Sequence, residues 1–140
     1  VMAMNEKARA LGMSSTHFVD STGLHCENVS TAADLSKMVR AAYNYPQIRQ
    51  VSTTASQEFN VHGYRNPVNF SNTNLLVRNN SQNWVIGLSK TGYISEAGRC
   101  LVMQAEISGQ PMIIVLLDSA GKMTRIGDAN LDNCILFWVE

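Results

Sequence analysis

Residues 84–117 read WVIGLSKTGYISEAGRCLVMQAEISGQPMIIVLL. Apolar, β-branched and aromatic runs broken by turn formers predict three strands here: Trp84 to Tyr93, Arg99 to Ile107, and Met112 to Leu117. Ser108-Gly109-Gln110-Pro111 joins the second and third as a tight hairpin. Met112 to Leu117 is apolar at every position instead of every other one, so this strand needs cover on both faces. Helices must therefore flank the sheet.

On the N-terminal side, Val1, Met4, Ala8 and Leu11 recur at helical spacing, and Gly12 stands as the stop signal. Ser14 to Ser30 is polar and turn-rich, an ordered surface loop holding Asp20-Ser21-Thr22-Gly23. Thr31 with Asp34 three residues later is a capping-box signature; Leu35, Met38, Val39 and Ala42 then supply one apolar face until Tyr45-Pro46 ends the helix. From Ile48 to Arg78 weak alternation predicts a twisted hairpin or small exposed sheet, with turns at Asn66-Pro67 and Asn79-Asn80. A last helix is expected after Gly127-Asp128, carrying Leu131, Cys134, Ile135 and Trp138 on one face. Helices, an antiparallel sheet and a closing helix make an α+β layer structure.

The 140 residues suit one domain, and 45% hydrophobic against 16% charged residues exclude a disordered tail. Eleven Lys+Arg balance eleven Asp+Glu, so the chain as a whole has no electrostatic grip on nucleic acid or anionic membrane. No apolar run approaches the roughly 20 residues of a membrane span. The chain opens at Val1 inside an amphipathic helix with no signal peptide before it, which suggests that residues belonging upstream are missing. Cys26, Cys100 and Cys134 allow at most one disulfide; Cys100 and Cys134 sit in apolar contexts and read as buried small hydrophobes. His17, His25 and His62 show no metal-binding spacing, so neither a metal nor another cofactor is expected. Trp84 and Trp138 read as core residues.

The sharpest chemical feature is Lys90-Thr91-Gly92 at the end of the first strong strand. A cation beside a hydroxyl, followed by a glycine that admits close approach, suits the binding of a substrate carboxylate. Lys-Thr-Gly is also the third motif of the penicillin-recognising serine enzymes. The neighbouring residues narrow the resemblance. Met4-Asn5-Glu6-Lys7-Ala8, Leu11-Gly12-Met13, Thr16-His17-Phe18 and Gly23-Leu24 resemble the segment after the second motif in the low-molecular-mass D-alanyl-D-alanine carboxypeptidases. Ser30-Thr31-Ala32, Asp34-Leu35, Asn72-Thr73-Asn74, Leu76, Arg78, Leu88 to Tyr93, Ala97-Gly98, Cys100-Leu101-Val102 and Asp128-Ala129 continue it in order. The match looks closest to the endopeptidase branch, the penicillin-binding protein 7 type.

That resemblance implies a partial β-lactamase/transpeptidase-like fold, with residues 1–140 as the C-terminal portion of one serine peptidase domain. The family's nucleophile motif, Ser-x-x-Lys, and its Ser-x-Asn motif would both lie upstream of Val1. Ser119-Ala120-Gly121-Lys122 and Ser81-Gln82-Asn83 match these patterns but are misplaced, the first following Lys-Thr-Gly and the second sitting in an Asn-rich turn. Carried over from the family, Lys90 supplies positive potential and helps hold the peptide carboxylate, Thr91 hydrogen-bonds it, Gly92 permits close approach, and the backbone N–H of Tyr93 forms half the oxyanion hole. Arg125 resembles a family position that approaches the same carboxylate. The implied partners are peptidoglycan peptides, β-lactams and the missing upstream part of the domain, and the implied location is the periplasm or outer cell envelope. The segment alone is expected to be inactive. A non-catalytic module that binds wall peptides or a protein partner, and a β-lactamase, are the rival readings, and endopeptidase and carboxypeptidase action stay undivided. Asp34 reads as a capping residue first, and Asp20-Ser21-Thr22-Gly23 as a turn bordering the cleft.

Overall fold

The computed structural model describes residues 1–79, 84–130 and 136–138. Helix α1 spans Met2–Ala10 and is closed by Gly12, whose φ of +71° suits a residue without a β-carbon. The segment from 14 to 30 is the ordered loop the sequence suggests. His17 and Val29 exchange two backbone hydrogen bonds, 2.9 and 3.0 Å, and the Asn5 side chain in α1 donates to the Phe18 carbonyl at 2.7 Å and accepts the Phe18 N–H at 2.9 Å.

Helix α2, Ala32–Tyr43, starts where the Thr31 hydroxyl accepts the Asp34 N–H at 3.2 Å. The Asp34 carboxylate does more than cap. It takes the Ser15 N–H, the Thr16 hydroxyl and the Lys37 ammonium at 2.8, 2.9 and 3.0 Å, which fastens the loop to the helix. Pro46 then acts differently from the sequence expectation: α2 ends at Tyr43, yet Pro46 opens a further helix, α3, Pro46–Thr53. Proline lacks the N–H that a first helical residue leaves unpaired, so it starts a helix as readily as it stops one. The expected small sheet therefore begins later, as β1, Ser56–Phe59, paired antiparallel with β2, Val68–Ser71. Arg78 belongs to a short helix, α4, Leu75–Asn79.

The three strands in the opening stretch appear within two or three residues of expectation as β3, Val85–Ile94, β4, Gly98–Ile107, and β5, Gln110–Ser119. Ser108 and Gly109, φ 53° and 76°, form the left-handed pair of a two-residue hairpin closed by Ile107 and Gln110. The C-terminal expectation needs correction. Helix α5 spans Lys122–Asn130, beginning before Gly127-Asp128, and Trp138 lies in a strand, β6, Leu136–Trp138, that pairs antiparallel with β5. Leu131, Cys134 and Ile135 fall outside the described residues, as do Asn80 and the Ser81-Gln82-Asn83 match.

The sheet runs β3-β4-β5-β6, with β3 at one edge. On one face Leu88, Ile113 and Val115 pack with Val39 of α2; on the other Leu101, Met103, Ala105 and Ile114 pack with Leu76 of α4 and Ala129 of α5, and Trp84 lies against them partly buried. Met112 to Val115 are all buried, as an unbroken apolar run requires, while Leu117 is 42% exposed where the cover ends. Leu101 and Ile114 are fully buried, and each such side chain contributes about 1.5–3 kcal/mol relative to exposure.

Candidate functional site

Edge strand β3 carries Lys90-Thr91-Gly92-Tyr93 along one wall of an open groove of about 840 Å³. The loop at Asp20 to Leu24 lines the same groove, so the turn that the sequence left at the margin of a cleft does border one. Lys90, Gly92 and Tyr93 are exposed; Thr91 is half-buried. The Lys90 ammonium donates to the carbonyl of Thr91. The Thr91 hydroxyl meets that of Thr73 at 2.6 Å.

Thr73 sits in Asn72-Thr73-Asn74, a brace under β3 whose structural role the sequence reading did not assign. Asn72 Nδ2 donates to the carbonyls of Ser52 and Thr54 at 3.0 and 3.1 Å, and Asn72 Oδ1 accepts the Asn74 N–H at 2.9 Å. Asn74 is 1% exposed and donates through Nδ2 to the Ser89 hydroxyl at 2.8 Å while accepting the Leu76 N–H at 3.0 Å. Ser89 in turn donates its N–H to the Ser52 hydroxyl at 3.3 Å. A buried amide with its partners satisfied specifies one arrangement, so this brace sets where the Thr91 hydroxyl stands. The available signal was two asparagines flanking a threonine, which local pattern alone equates with any turn.

A β-carbon added to Gly92 would lie 4.0 Å from Cys100 Cβ, an ordinary contact. Packing within the described chain therefore does not demand glycine there. Cys100, expected in the core, is half-buried and lines the groove, with its thiol 3.4 Å from the Ala97 carbonyl. Strand alternation puts Cys100 on the face of β4 that also carries the partly buried Val102, and it stands opposite Gly92 at the groove. A register shift lies beside it: Leu101 pairs with Leu116 but Arg99 with Ser119, so Cys100 opposes two β5 residues, Leu117 and Asp118. Asp118 takes φ 54° to accommodate the extra residue. Arg125 of α5 closes this bulge, donating from Nη1 to the Cys100 carbonyl at 2.9 Å. At 3% exposure it is buried, with Nε unpartnered in the described structure, although it does line the groove. Burial, reinforced by the neighbouring Arg99 charge and partly opposed by Cys100, lowers the Arg125 pKa below the ordinary guanidinium range.

On the loop wall, Asp20 accepts from the Thr22 hydroxyl, Asn28 Nδ2, the Thr22 N–H at 3.1 Å and the Gly23 N–H at 3.3 Å. The Thr22 and Asn28 side chains lead in holding its carboxyl at about 2, with the two backbone donors assisting against a smaller opposing effect of burial. Asp34 is also lowered: burial pushes it up, but the Lys37, Thr16 and Ser15 hydrogen bonds and the Lys37 charge outweigh that. Both carboxyls thus sit below their ordinary value of 3.8, and the unfolded chain takes up protons first as pH falls. Their stabilisation is complete above about pH 5 and is lost as pH descends toward the folded-state values. Denaturant midpoints measured from pH 5 to 2 are expected to fall, and the fall to be shallower in Asp20→Asn; equal slopes would remove Asp20 from the account.

Residues 1–121 match the model of the D-alanyl-D-alanine carboxypeptidase family. The chain belongs to this family. It is 43% identical over 140 residues to the D-alanyl-D-alanine endopeptidase of Escherichia coli, covering all of this chain and 44% of that protein. A Pseudomonas aeruginosa D-alanyl-D-alanine endopeptidase is 46% identical over 132 residues, 92% of this chain and 41% of the relative. Among solved structures, a penicillin-binding protein of Listeria monocytogenes in its cefotaxime-bound form superposes with a TM-score of 0.75 at 28% identity, over 92% of this chain and 51% of that one. A mutant Streptomyces DD-transpeptidase gives 0.77 at 31% identity, over 91% and 49%. The fold of this family member is therefore the penicillin-binding and DD-transpeptidase fold, an antiparallel sheet flanked by helices. The chain spans less than half the length of these curated relatives.

Proposed function

We propose that the chain is the C-terminal part of the catalytic domain of a serine-type D-alanyl-D-alanine peptidase that acts on peptidoglycan peptides and is acylated by penicillin. The observation that carries this reading is the exposed Lys90-Thr91-Gly92-Tyr93 segment on an edge strand, lining a groove and lying inside the family-matched residues. The endopeptidase names of the relatives and the bound cefotaxime in a structural neighbour support it.

In this reading the substrate carboxylate docks at Lys90 and Thr91. The Thr73 hydroxyl, 2.6 Å from that of Thr91, holds it in place to donate. Gly92 leaves room for the substrate backbone, and the N–H of Tyr93 stabilises the oxyanion that forms as an upstream serine attacks the D-alanyl carbonyl. The lone N–H of one oxyanion donor is worth about 3–4 kcal/mol in the transition state. Arg125 serves the same wall by holding the Cys100 carbonyl, opposite Gly92 in the β3–β4 register. We place the enzyme in the periplasm or outer cell envelope, where its peptide substrates are.

Fluorescent penicillin tests the reading. The full-length protein is expected to become covalently labelled on a serine upstream of Val1, and the 140-residue segment alone to remain unlabelled. A full-length protein that takes no label, or a penicilloyl adduct mapped by mass spectrometry to Ser119 or any other residue of this segment, would overturn it.

A further inference from the structure

The groove holds more positive charge than one carboxylate grip requires. In a chain of net charge zero, its described lining carries Lys90, Arg99, Lys122 and Arg125 against a single carboxylate, Asp20. Asp20 is already engaged by Thr22, Gly23 and Asn28, and none of the four cations joins a salt bridge among the described residues. Arg125 is buried and committed to the Cys100 carbonyl. Lys90 has its place beside Thr91. Arg99 and Lys122 are left over.

Both line the same groove, and the topology sets Arg99 opposite a residue three positions before Lys122. Arg99 opens the register of β4 against Ser119 of β5, and that strand runs through Ala120 and Gly121 directly to Lys122 at the start of α5. Arg99 also lies opposite Tyr93 on β3, with its guanidinium carbon 4.4 Å from the centre of the Tyr93 ring. Stacking holds a planar fork in one orientation before any ligand arrives, and it leaves the in-plane N–H donors available, the arrangement that suits a carboxylate. Arg99 is half-buried while Lys122 is exposed, so the pair grades from the groove wall to its mouth. Cations packed near one another without a counter-ion repel, which an arriving anion relieves.

We propose that Arg99 and Lys122 form a second anion subsite, which receives a free carboxylate of the wall peptide other than the one held at Lys90 and Thr91. The inference rests on the peptidase reading and narrows its substrate class: peptides with an additional acidic group beside the D-alanyl bond are preferred over otherwise identical amidated ones. Arg99 supplies a preoriented bidentate donor and Lys122 a mobile point charge at the mouth.

The test uses the full-length protein and two D-alanyl-D-alanine peptides that differ only in the residue before the D-alanines, whose side chain ends in a free carboxylate in one and a primary carboxamide in the other. Wild type is expected to favour the carboxylate peptide by about tenfold in kcat/KM, the lower end for a charge-assisted contact that solvent partly screens. Arg99→Gln should bring this ratio to within about twofold of unity, and Lys122→Gln should reduce it about threefold; the second variant lies on α5, away from the Tyr93 stack, and keeps the test alive if the first is poorly folded. Hydrolysis of both peptides at equal rates by wild type, or a ratio unchanged in both variants, would overturn the subsite while leaving the peptidase reading intact. A wild-type protein that hydrolyses neither peptide would overturn the peptidase reading and the subsite with it.

Discussion

Lys90→Ala in the full-length protein is expected to slow acylation by penicillin by about two to three orders of magnitude, with the thermal midpoint essentially unmoved. The lysine is exposed, and among the described residues its ammonium bonds only the adjacent Thr91 carbonyl, so little folding energy depends on it. Its loss removes a charge-assisted bond worth about 1.5–3 kcal/mol to the bound carboxylate. The positive potential it lends to proton transfer at the neighbouring serine is removed as well, and the two effects multiply in the rate. Stopped-flow acylation with a chromogenic or fluorescent β-lactam measures this, with calorimetry on the same sample. A rate within a few fold of wild type would place Lys90 outside the site.

Gly98→Ala is expected to destabilise the protein by about 2–5 kcal/mol, the sum of a left-handed backbone penalty of about 1–2 and an overpacking cost of about 1–3. Gly98 has φ +63°, and a β-carbon there would lie 2.3 Å from Asp118 Oδ1 and 2.9 Å from Asp118 Cα. The carboxylate can rotate away, but the Cα cannot move without breaking the bulge that presents Cys100 to Arg125. Gly109→Ala is the control. Its φ of +76° imposes the same backbone cost, yet nothing lies within 4 Å of the added carbon, so only that cost, about 1–2 kcal/mol, is expected. Urea denaturation of both variants separates steric from conformational cost. Equal losses would mean that the contact with Asp118 is absorbed without strain. Gly98→Ala should also depress acylation, since it displaces the strand on which Gly92 and Tyr93 are registered.

How much of this was legible in advance differs from element to element. The unbroken Met112 to Leu117 run required cover on both faces, and α2 and α5 provide it, because an apolar strand carries its burial demand in its own composition. Thr31 announced the start of α2 because an N-cap is satisfied within three residues of itself. The Lys90-Thr91-Gly92 segment was visible for a similar reason, its cation, hydroxyl and glycine being consecutive.

Pro46 and Trp138 were misassigned because their local signals fit two outcomes. A proline closes one helix or opens the next, and a short apolar run serves as helix face or strand. For residues 136–138 the arbiter was the open edge of β5, a partner that no window around Trp138 contains. Cys100 and Arg125 show the same limit at the site. Cys100 looked like core, but strand alternation sets it opposite Gly92 at the groove, and Arg125, which also lines the groove, holds the Cys100 carbonyl, a contact no local pattern announces. The sequence by itself determined the strands, the main helix and the Lys90-Thr91-Gly92 segment, since each rests on groups adjacent in the chain. Only the tertiary structure decided that Thr73 meets Thr91 and that the Asp20 loop, β3, Arg99 and Lys122 line one groove. Those pairings depend on register and on the packing of distant segments, whose energy exists only once both partners are in place.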